Sequence, residues 1–250
     1  MRWYCTGLVP APQPPELRLG TYLKAAALPP IPDTFGHYTL IQPGAWNMYG
    51  NDQYGCCAWA GIAHVEMLWN ATSKTPIHIT TLDVLDDYRD ATGFDIRKKS
   101  TDRGTDIVSA AKYWQQTGVR DCTDARHKID AYLGIDPNNI DHIMAGCYLF
   151  GAVGLGIQLT DDAEEQFVNK QPWDAGKPSD MFHFVPFVGC DEEYLYCVTW
   201  GRLQRVTMDG FEQMVKEAVV YLSKEDLTGG KTAEGFDYAA LESDLSALEG

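Results

Sequence analysis

Apolar residues in the first half of the chain recur at the three- and four-residue spacing of amphipathic helices. After the turn sequence Gly104-Thr105-Asp106, for example, Ile107, Ala110, Ala111 and Trp114 share one face, and Gly118 ends the pattern. Threonine at position 80 or 81 can cap another helix that ends before Gly93. The predicted helices cover residues 57–69, 81–92, 106–117 and 139–150.

The second half changes to short runs of β-branched and aromatic residues separated by Gly, Pro and Asp, which is typical of strands. Predicted strands run from Val153 to Leu159, Phe182 to Val188, Tyr194 to Thr199 and Leu203 to Met208. A helix is predicted from Asp209 to Tyr221, and a terminal helix from Phe236 to Leu248 after the Gly229-Gly230 break. Helices followed by an antiparallel sheet predict an α+β protein with a cleft between its two halves.

The first 46 residues lack a regular period, and their prolines prevent a long helix. We interpret this segment as an N-terminal strap that lies over the body or over a partner, with a short helix between Arg18 and Ala27. The predicted organisation is a strap at 1–46, a domain at 47–222 and a C-terminal linker and helix at 223–250. Within the domain, residues 47–151 form the helical half and residues 152–222 the β half.

Charge and hydropathy exclude some functions. The chain has 250 residues and a formal net charge of −15, which argues against a nucleic-acid partner, because phosphate binding needs a basic face. No apolar run is long enough to span a membrane, and Met1-Arg2-Trp3-Tyr4-Cys5 does not begin a signal peptide. We expect a cytoplasmic protein, or a virion component assembled in a cytoplasm.

The seven cysteines are odd in number and scattered, so they do not indicate a disulfide framework, and we expect most of them to be reduced. Cys56 and Cys57 lack the second, spaced pair that a zinc site requires, and His127 and His142 have no ligand partner at a useful spacing. We therefore predict no metal and no cofactor. The acidic stretch 160–165 is interpreted as a solvated turn that leads into a helix.

The segment Asn51-Asp52-Gln53-Tyr54-Gly55-Cys56-Cys57 places a thiol where a glycine-containing turn becomes a helix. A thiol in the first turn experiences the positive end of the helix dipole, which lowers its pKa and favours the nucleophilic thiolate. Cys57 fits that role best, and the amide of Asn51 or of Gln53 can donate to a developing oxyanion. The alternative is that Cys57 is simply a small buried apolar residue.

This arrangement resembles the papain family of cysteine peptidases, in which the nucleophile follows a small-residue pair, opens a long helix and is preceded six residues earlier by an oxyanion-hole glutamine. Two further stretches support the resemblance: His183-Phe184-Val185-Pro186-Phe187-Val188-Gly189 is similar to the family's histidine strand, and Thr199-Trp200-Gly201 to the end of its Asn-Ser-Trp-Gly motif. The likeness covers roughly residues 47–222 and is nearest to short papain-like proteins of phages and bacteria. It implies Cys57 as nucleophile and His183 as base.

Position 198 departs from the family pattern. The asparagine that orients the catalytic histidine in papain-like enzymes is Val198 here, so another group, such as a backbone carbonyl or Thr199, must fix the ring of His183. Two functions therefore stay open: a thiol hydrolase acting on a peptide or protein, and an inactive papain-fold protein that binds other structural proteins of a phage particle.

Overall fold

The computed structural model describes residues 4–42, 44–72, 77–223 and 236–248. The predicted Gly229-Gly230 break lies outside these residues. In the described ranges, no helix is long and apolar enough to cross a membrane. The α-helices are α1 Leu19–Tyr22, α2 Cys57–Thr72, α3 Thr81–Thr92, α4 Ile107–Gln116, α5 Ile140–Phe150, α6 Ala163–Val168, α7 Met208–Met214 and α8 Tyr238–Leu248.

Local sequence explains where the helices of the first half begin and end. Thr80 forms a capping box with Asp83 at the start of α3, and Gly93 ends that helix in the left-handed conformation. Asp106 and Asn139 cap α4 and α5 through their side chains. The four helices predicted in this half are confirmed, as are the short helix between Arg18 and Ala27 and the terminal helix.

Six antiparallel strands form the main sheet, in the order β3-β8-β4-β5-β6-β7. A separate two-stranded ribbon joins β1 to β2. The strands are β1 Val119–Arg120, β2 Arg126–His127, β3 Ala131–Ile135, β4 Val153–Thr160, β5 Pro178–Cys190, β6 Leu195–Thr199, β7 Arg202–Val206 and β8 Val215–Leu222.

Helices cover both faces of the sheet. Along β8, Val219 and Tyr221 join the apolar cluster beneath α2, α3 and α4, whereas Val220 and Leu222 join a second cluster against α5, α7 and α8. Because successive strand residues point to opposite faces, β8 contributes to both clusters. The protein is thus α+β, as predicted.

The prediction of a helix from Asp209 to Tyr221 is wrong in its second half. Helix α7 ends at Met214, and the chain continues directly as β8, which pairs with both β3 and β4. A strand buried on both faces is almost continuously apolar, so it does not show the alternation that would identify it in sequence. Strand β3 lies in the half that was predicted to be helical, so the prediction is wrong there as well. Its partner β8 is more than 80 residues away in the chain, beyond the reach of local sequence signals.

The N-terminal strap runs across the body of the protein. Leu8 pairs in parallel with Thr105, Arg18 with Gly134, and Phe35 pairs in antiparallel with Cys190 at the end of β5. These pairings connect the strap first to the start of α4, then to the edge strand β3, and last to the final residue of β5.

Candidate active site

Helix α2 begins at Cys57 and packs against β5, the strand that carries His183. The contact is close because α2 has no side chain at Gly61, where a Cβ would overlap the ring of Phe184. Cys57 lies beside the backbone of Phe184, the residue after His183. The structure therefore brings the two predicted catalytic residues to the same junction between helix and sheet.

Burial dominates the electrostatics of Cys57. Its side chain is almost completely enclosed, at 1% exposure, and this raises the pKa of the thiol to about 11. The backbone amides of Phe184 and Gly7, and those at the start of the helix, act in the opposite direction and lower the pKa only in part. The sequence had led us to expect a lowered pKa. In this closed conformation the cost of burying a charge exceeds the effect of the helix terminus, so the thiol is neutral.

His183 is held by the residue next to Val198. Its Nε2 lies 2.7 Å from the hydroxyl oxygen of Thr199, whereas Nδ1 is buried and has no hydrogen-bond partner among the described residues. Desolvation lowers the pKa of His183 to about 3, so the imidazole is neutral. With a hydrogen on Nε2, the ring donates to Thr199 and leaves the lone pair of Nδ1 available as a base.

Trp200 covers His183 because of a tight turn. Thr199 pairs with Arg202 across β6 and β7, so only Trp200 and Gly201 connect the strands. Both have positive φ, 43° and 76°, as a two-residue hairpin of this hand requires. The turn places the indole parallel to the imidazole, with ring centroids 4.7 Å apart.

Val198 does not take part in the site. It is buried in the apolar cluster beneath α2, next along the strand from Thr199, whose hydroxyl contacts His183. Adjacent residues of a strand point to opposite faces, so a side chain at 198 and one at 199 cannot both contact His183 from β6. Of the two alternatives drawn from sequence, Thr199 rather than a backbone carbonyl contacts His183.

The two candidate oxyanion donors have different surroundings. Asn51 is buried in the turn before α2, where its amide donates to the carbonyl of Tyr54 at 3.0 Å. Gln53 is exposed, and its amide donates to its neighbour Asp52 at 3.2 Å. The side chain of Asn51 is therefore the more firmly held of the two.

The strap lies over this junction. Tyr4 stacks on the outer side of Trp200, with ring centroids 4.8 Å apart, and the indole NH of Trp200 donates to the carbonyl of Cys5 at 3.1 Å. Gly7 is in backbone contact with Gly55, two residues before Cys57. The sequence indicated a strap but no feature that would place it here, because the hydrogen bonds that hold it are made by the backbone of the strap.

Other candidate residues lie away from this junction. His64, two turns along α2 from Cys57, donates a hydrogen bond from Nε2 to the carbonyl of Asn47, 2.8 Å away. Within the described ranges, no group of His, Cys, Asp and Glu side chains could hold a metal ion, and no disulfide joins the cysteines there.

The architecture is that of papain-like cysteine proteases. Xylellain, a cysteine protease from Xylella fastidiosa, matches with a TM-score of 0.64 over 89% of this chain and 97% of that chain, at 15% sequence identity. A cysteine protease of Carica candamarcensis matches with a TM-score of 0.55 over 77% of this chain and 99% of that chain, at 15% sequence identity. Procathepsin L 3 of Tenebrio molitor matches with a TM-score of 0.53 over 84% of this chain and 75% of that chain, at 13% sequence identity. No family model and no curated protein sequence matches the chain. At these identities the likeness shows the fold.

Proposed function

We propose that the protein is a papain-like thiol hydrolase that cleaves an amide bond, with Cys57 as nucleophile, His183 as base and Thr199 as the residue that positions His183. The observation that carries this proposal is the state of the imidazole. One ring nitrogen is hydrogen-bonded to Thr199, the ring is stacked on Trp200, and the other nitrogen is buried without a partner among the described residues. The backbone of the next residue, Phe184, lies against Cys57 at the start of α2.

The chemistry follows from this arrangement. Nδ1 of His183 takes the proton of the Cys57 thiol, and the sulfur attacks the amide carbonyl to form a C–S bond. The oxyanion is stabilised by the backbone amide of Cys57 and by the side-chain amide of Asn51. The imidazolium then protonates the leaving amine as the C–N bond breaks, and water, deprotonated by His183, hydrolyses the thioester.

The alternative is a papain-fold protein that binds and does not cleave, for instance within a phage particle. Two observations favour it: an apolar residue occupies position 198, and Cys57 is enclosed. The hydrolase proposal accounts for both, because Thr199 supplies the missing hydrogen bond and the enclosure comes partly from the strap, a separate segment.

The test is Cys57-dependent turnover of fluorogenic peptide amides. It is measured in the natural chain and in Gly7→Ala, a variant in which the added methyl group overlaps the carbonyl of Gly55 and prevents the strap from seating. Turnover should disappear in Cys57→Ser and in His183→Ala. The matched control is Cys56→Ser, because Cys56 is equally buried but its thiol donates to the carbonyl of Tyr49.

Turnover that survives Cys57→Ser would contradict the assignment of the nucleophile. The absence of turnover in both the natural chain and Gly7→Ala, with Cys57 accessible to a small reagent in the latter, would favour the binding protein.

A further inference from the structure

One peptide group in the turn before α2, the one between Tyr54 and Gly55, is held from both sides. Its carbonyl accepts a hydrogen bond from the side-chain amide of Asn51 at 3.0 Å, and its N–H donates to the two carboxylate oxygens of Asp102 at 3.0 and 3.1 Å. The C=O and N–H of a trans peptide point in opposite directions, so the two partners fix the plane of the peptide between them. The backbone that leads into Cys57 is therefore held at this peptide group.

Asp102 comes from a distant part of the chain. It lies in the loop between α3 and α4, 47 residues after Gly55. A Cβ on Gly55 would lie only 3.0 Å from Oδ1 of Asp102, so the glycine lets the carboxylate approach the amide. Hydrogen bonds from an amide to a carboxylate are shorter and stronger than those between neutral groups. Asp102 is thus a strong link between this loop and the turn that carries Asn51.

Tyr88 of α3 holds the carboxylate of Asp102 in place. Tyr88 is completely buried, and its hydroxyl donates to Oδ1 of Asp102 at 2.7 Å and accepts from the amide of Gly104 at 2.9 Å. Its ring stacks on Phe94 with ring centroids 4.6 Å apart, and Phe94 in turn contacts the ring of Tyr54, with centroids 5.2 Å apart. The carboxylate therefore has one well-defined position, which is set by both a hydrogen bond and packing.

The link matters for the side-chain amide of Asn51, the proposed oxyanion donor. A side-chain amide nitrogen carries two hydrogens. The Tyr54 carbonyl takes one of them and leaves the second for the oxyanion. The direction of the second hydrogen depends on the first bond, and hence on the peptide group that Asp102 holds. A donor stabilises a transition state well only when it is oriented before the reaction begins.

We infer that Asp102 is a positioning residue for this site: it fixes the peptide group between Tyr54 and Gly55, and through that group it directs the Asn51 amide towards the oxyanion. Tyr88 supports Asp102 in this role. The inference rests on the proposed function in taking Asn51 as an oxyanion donor, whereas the orientation of the Asn51 side chain by Asp102 can be measured without turnover.

The first measurement is the turnover of fluorogenic peptide amides by Asp102→Asn, made in the natural chain and in the Gly7→Ala protein. Asparagine fills the same space but replaces one of the two acceptor oxygens by a second donor beside the N–H of Gly55. We expect kcat to fall about 10- to 100-fold and KM to change less than about threefold, because the oxyanion develops only in the transition state. The matched control is Asp95→Asn, since Asp95 is a carboxylate of the same loop that accepts from the amide of Arg97. It should change kcat by less than about twofold.

Alkylation of Cys57 by iodoacetamide separates positioning from general disruption of the site, because this reaction forms no oxyanion. Its rate in Asp102→Asn should stay within about twofold of the parent protein. A second separation comes from a double variant: once Asn51→Ala has removed the donor, Asp102→Asn should lower kcat by less than about threefold more. Equal losses of alkylation and turnover, or fully additive losses in the double variant, would overturn the inference.

The side-chain amide of Asn51 gives a readout that needs no turnover. Labelled with nitrogen-15 and assigned by its absence in Asn51→Ala, its proton resonances should shift in Asp102→Asn and stay in place in Asp95→Asn. Unshifted resonances in Asp102→Asn would contradict the inference. If neither the natural chain nor Gly7→Ala turns over, the proposed hydrolase fails, and shifted resonances would still show that Asp102 positions Asn51.

Tyr88→Phe keeps the test decisive where Asp102→Asn does not fold. It preserves the ring that packs on Phe94 and removes only the hydroxyl that holds Asp102. We expect kcat to be about 3- to 10-fold lower, the Asn51 resonances to shift and Cys57 alkylation to stay within about twofold. Turnover and Asn51 resonances equal to those of the parent protein would show that the network does not position the donor.

Discussion

At the scale of single residues, Thr199 is the feature that separates this site from the family pattern. Its hydroxyl takes the place of an amide, and it comes from the neighbouring position of the strand. A hydroxyl both donates and accepts, so it holds the ring orientation but selects the tautomer less strictly than an amide oxygen, which only accepts.

Thr199→Val should slow Cys57-dependent turnover about 10- to 100-fold, the effect of losing a buried hydrogen bond of about 1–3 kcal/mol. The measurement is made in the Gly7→Ala protein, so that the strap does not limit access. Nitrogen chemical shifts of His183 should also show more of the Nδ1-protonated tautomer. Thr199→Ser keeps the hydroxyl and should retain most of the activity. Equal turnover rates in the Thr199→Val and Thr199→Ser variants would exclude a positioning role for Thr199.

The same geometry bears on Val198. Replacing it by asparagine, the family residue, should not improve the site, because Val198 lies in the cluster beneath α2. A buried amide without partners destabilises the fold instead.

At the scale of secondary-structure elements, α3 shows how strongly local sequence can define a boundary. The Thr80 hydroxyl accepts from the Asp83 amide at 3.3 Å, and the Asp83 carboxylate accepts from the Thr80 amide at 2.7 Å. Gly93 closes the other end with φ of 76°.

Thr80→Ala should lower the free energy of unfolding by about 1 kcal/mol, because the capping hydroxyl is lost while its surroundings are unchanged. Urea denaturation measures this change, and Thr80→Ser, which keeps the hydroxyl, should fall within about 0.5 kcal/mol of the natural chain. An equal loss in both variants would indicate that packing of the threonine methyl group, and not the cap, is responsible.

At the scale of the whole molecule, two buried histidines couple stability to pH. Burial lowers the pKa of His64 to about 4 and that of His183 to about 3. Below the unfolded-state pKa of about 6.5, the unfolded chain binds protons that the folded chain does not. The free energy of unfolding therefore falls as the pH drops from about 6.5 towards those folded-state values.

Between pH 7 and pH 5 the free energy of unfolding should fall by an amount on the order of 3 kcal/mol, since each buried histidine contributes up to about 1.4 kcal/mol per pH unit. Urea denaturation at both pH values measures it. His64→Gln should reduce the pH dependence by about half, whatever it does to stability at pH 7. A pH dependence unchanged by this variant would mean that His64 is protonated in the folded state.

The strap also acts at this scale. It joins the helical half to the β half, and its hydrogen bonds are made by its own backbone, beside close glycine contacts and the stacking of Tyr4 on Trp200. Removing one such contact, as in Gly7→Ala, should therefore change access to Cys57 more than it changes the fold.

Local interactions determined much of this protein. Caps, glycine stops and apolar spacing predicted helices α2 to α5 and strands β4 to β7 close to their observed positions, because these signals act between residues a few positions apart. The motif order likewise placed Cys57 and His183 at one junction. The tertiary structure decided what depends on distant partners: that 215–222 is a strand between β3 and β4, that Thr199 and not position 198 contacts His183, and that the strap lies in the cleft. The tertiary structure also decided the charge state of Cys57. The start of a helix, which lowers the pKa of a thiol, is visible in the sequence. The burial that raises this pKa is not, because it involves segments more than 40 residues away on either side of Cys57.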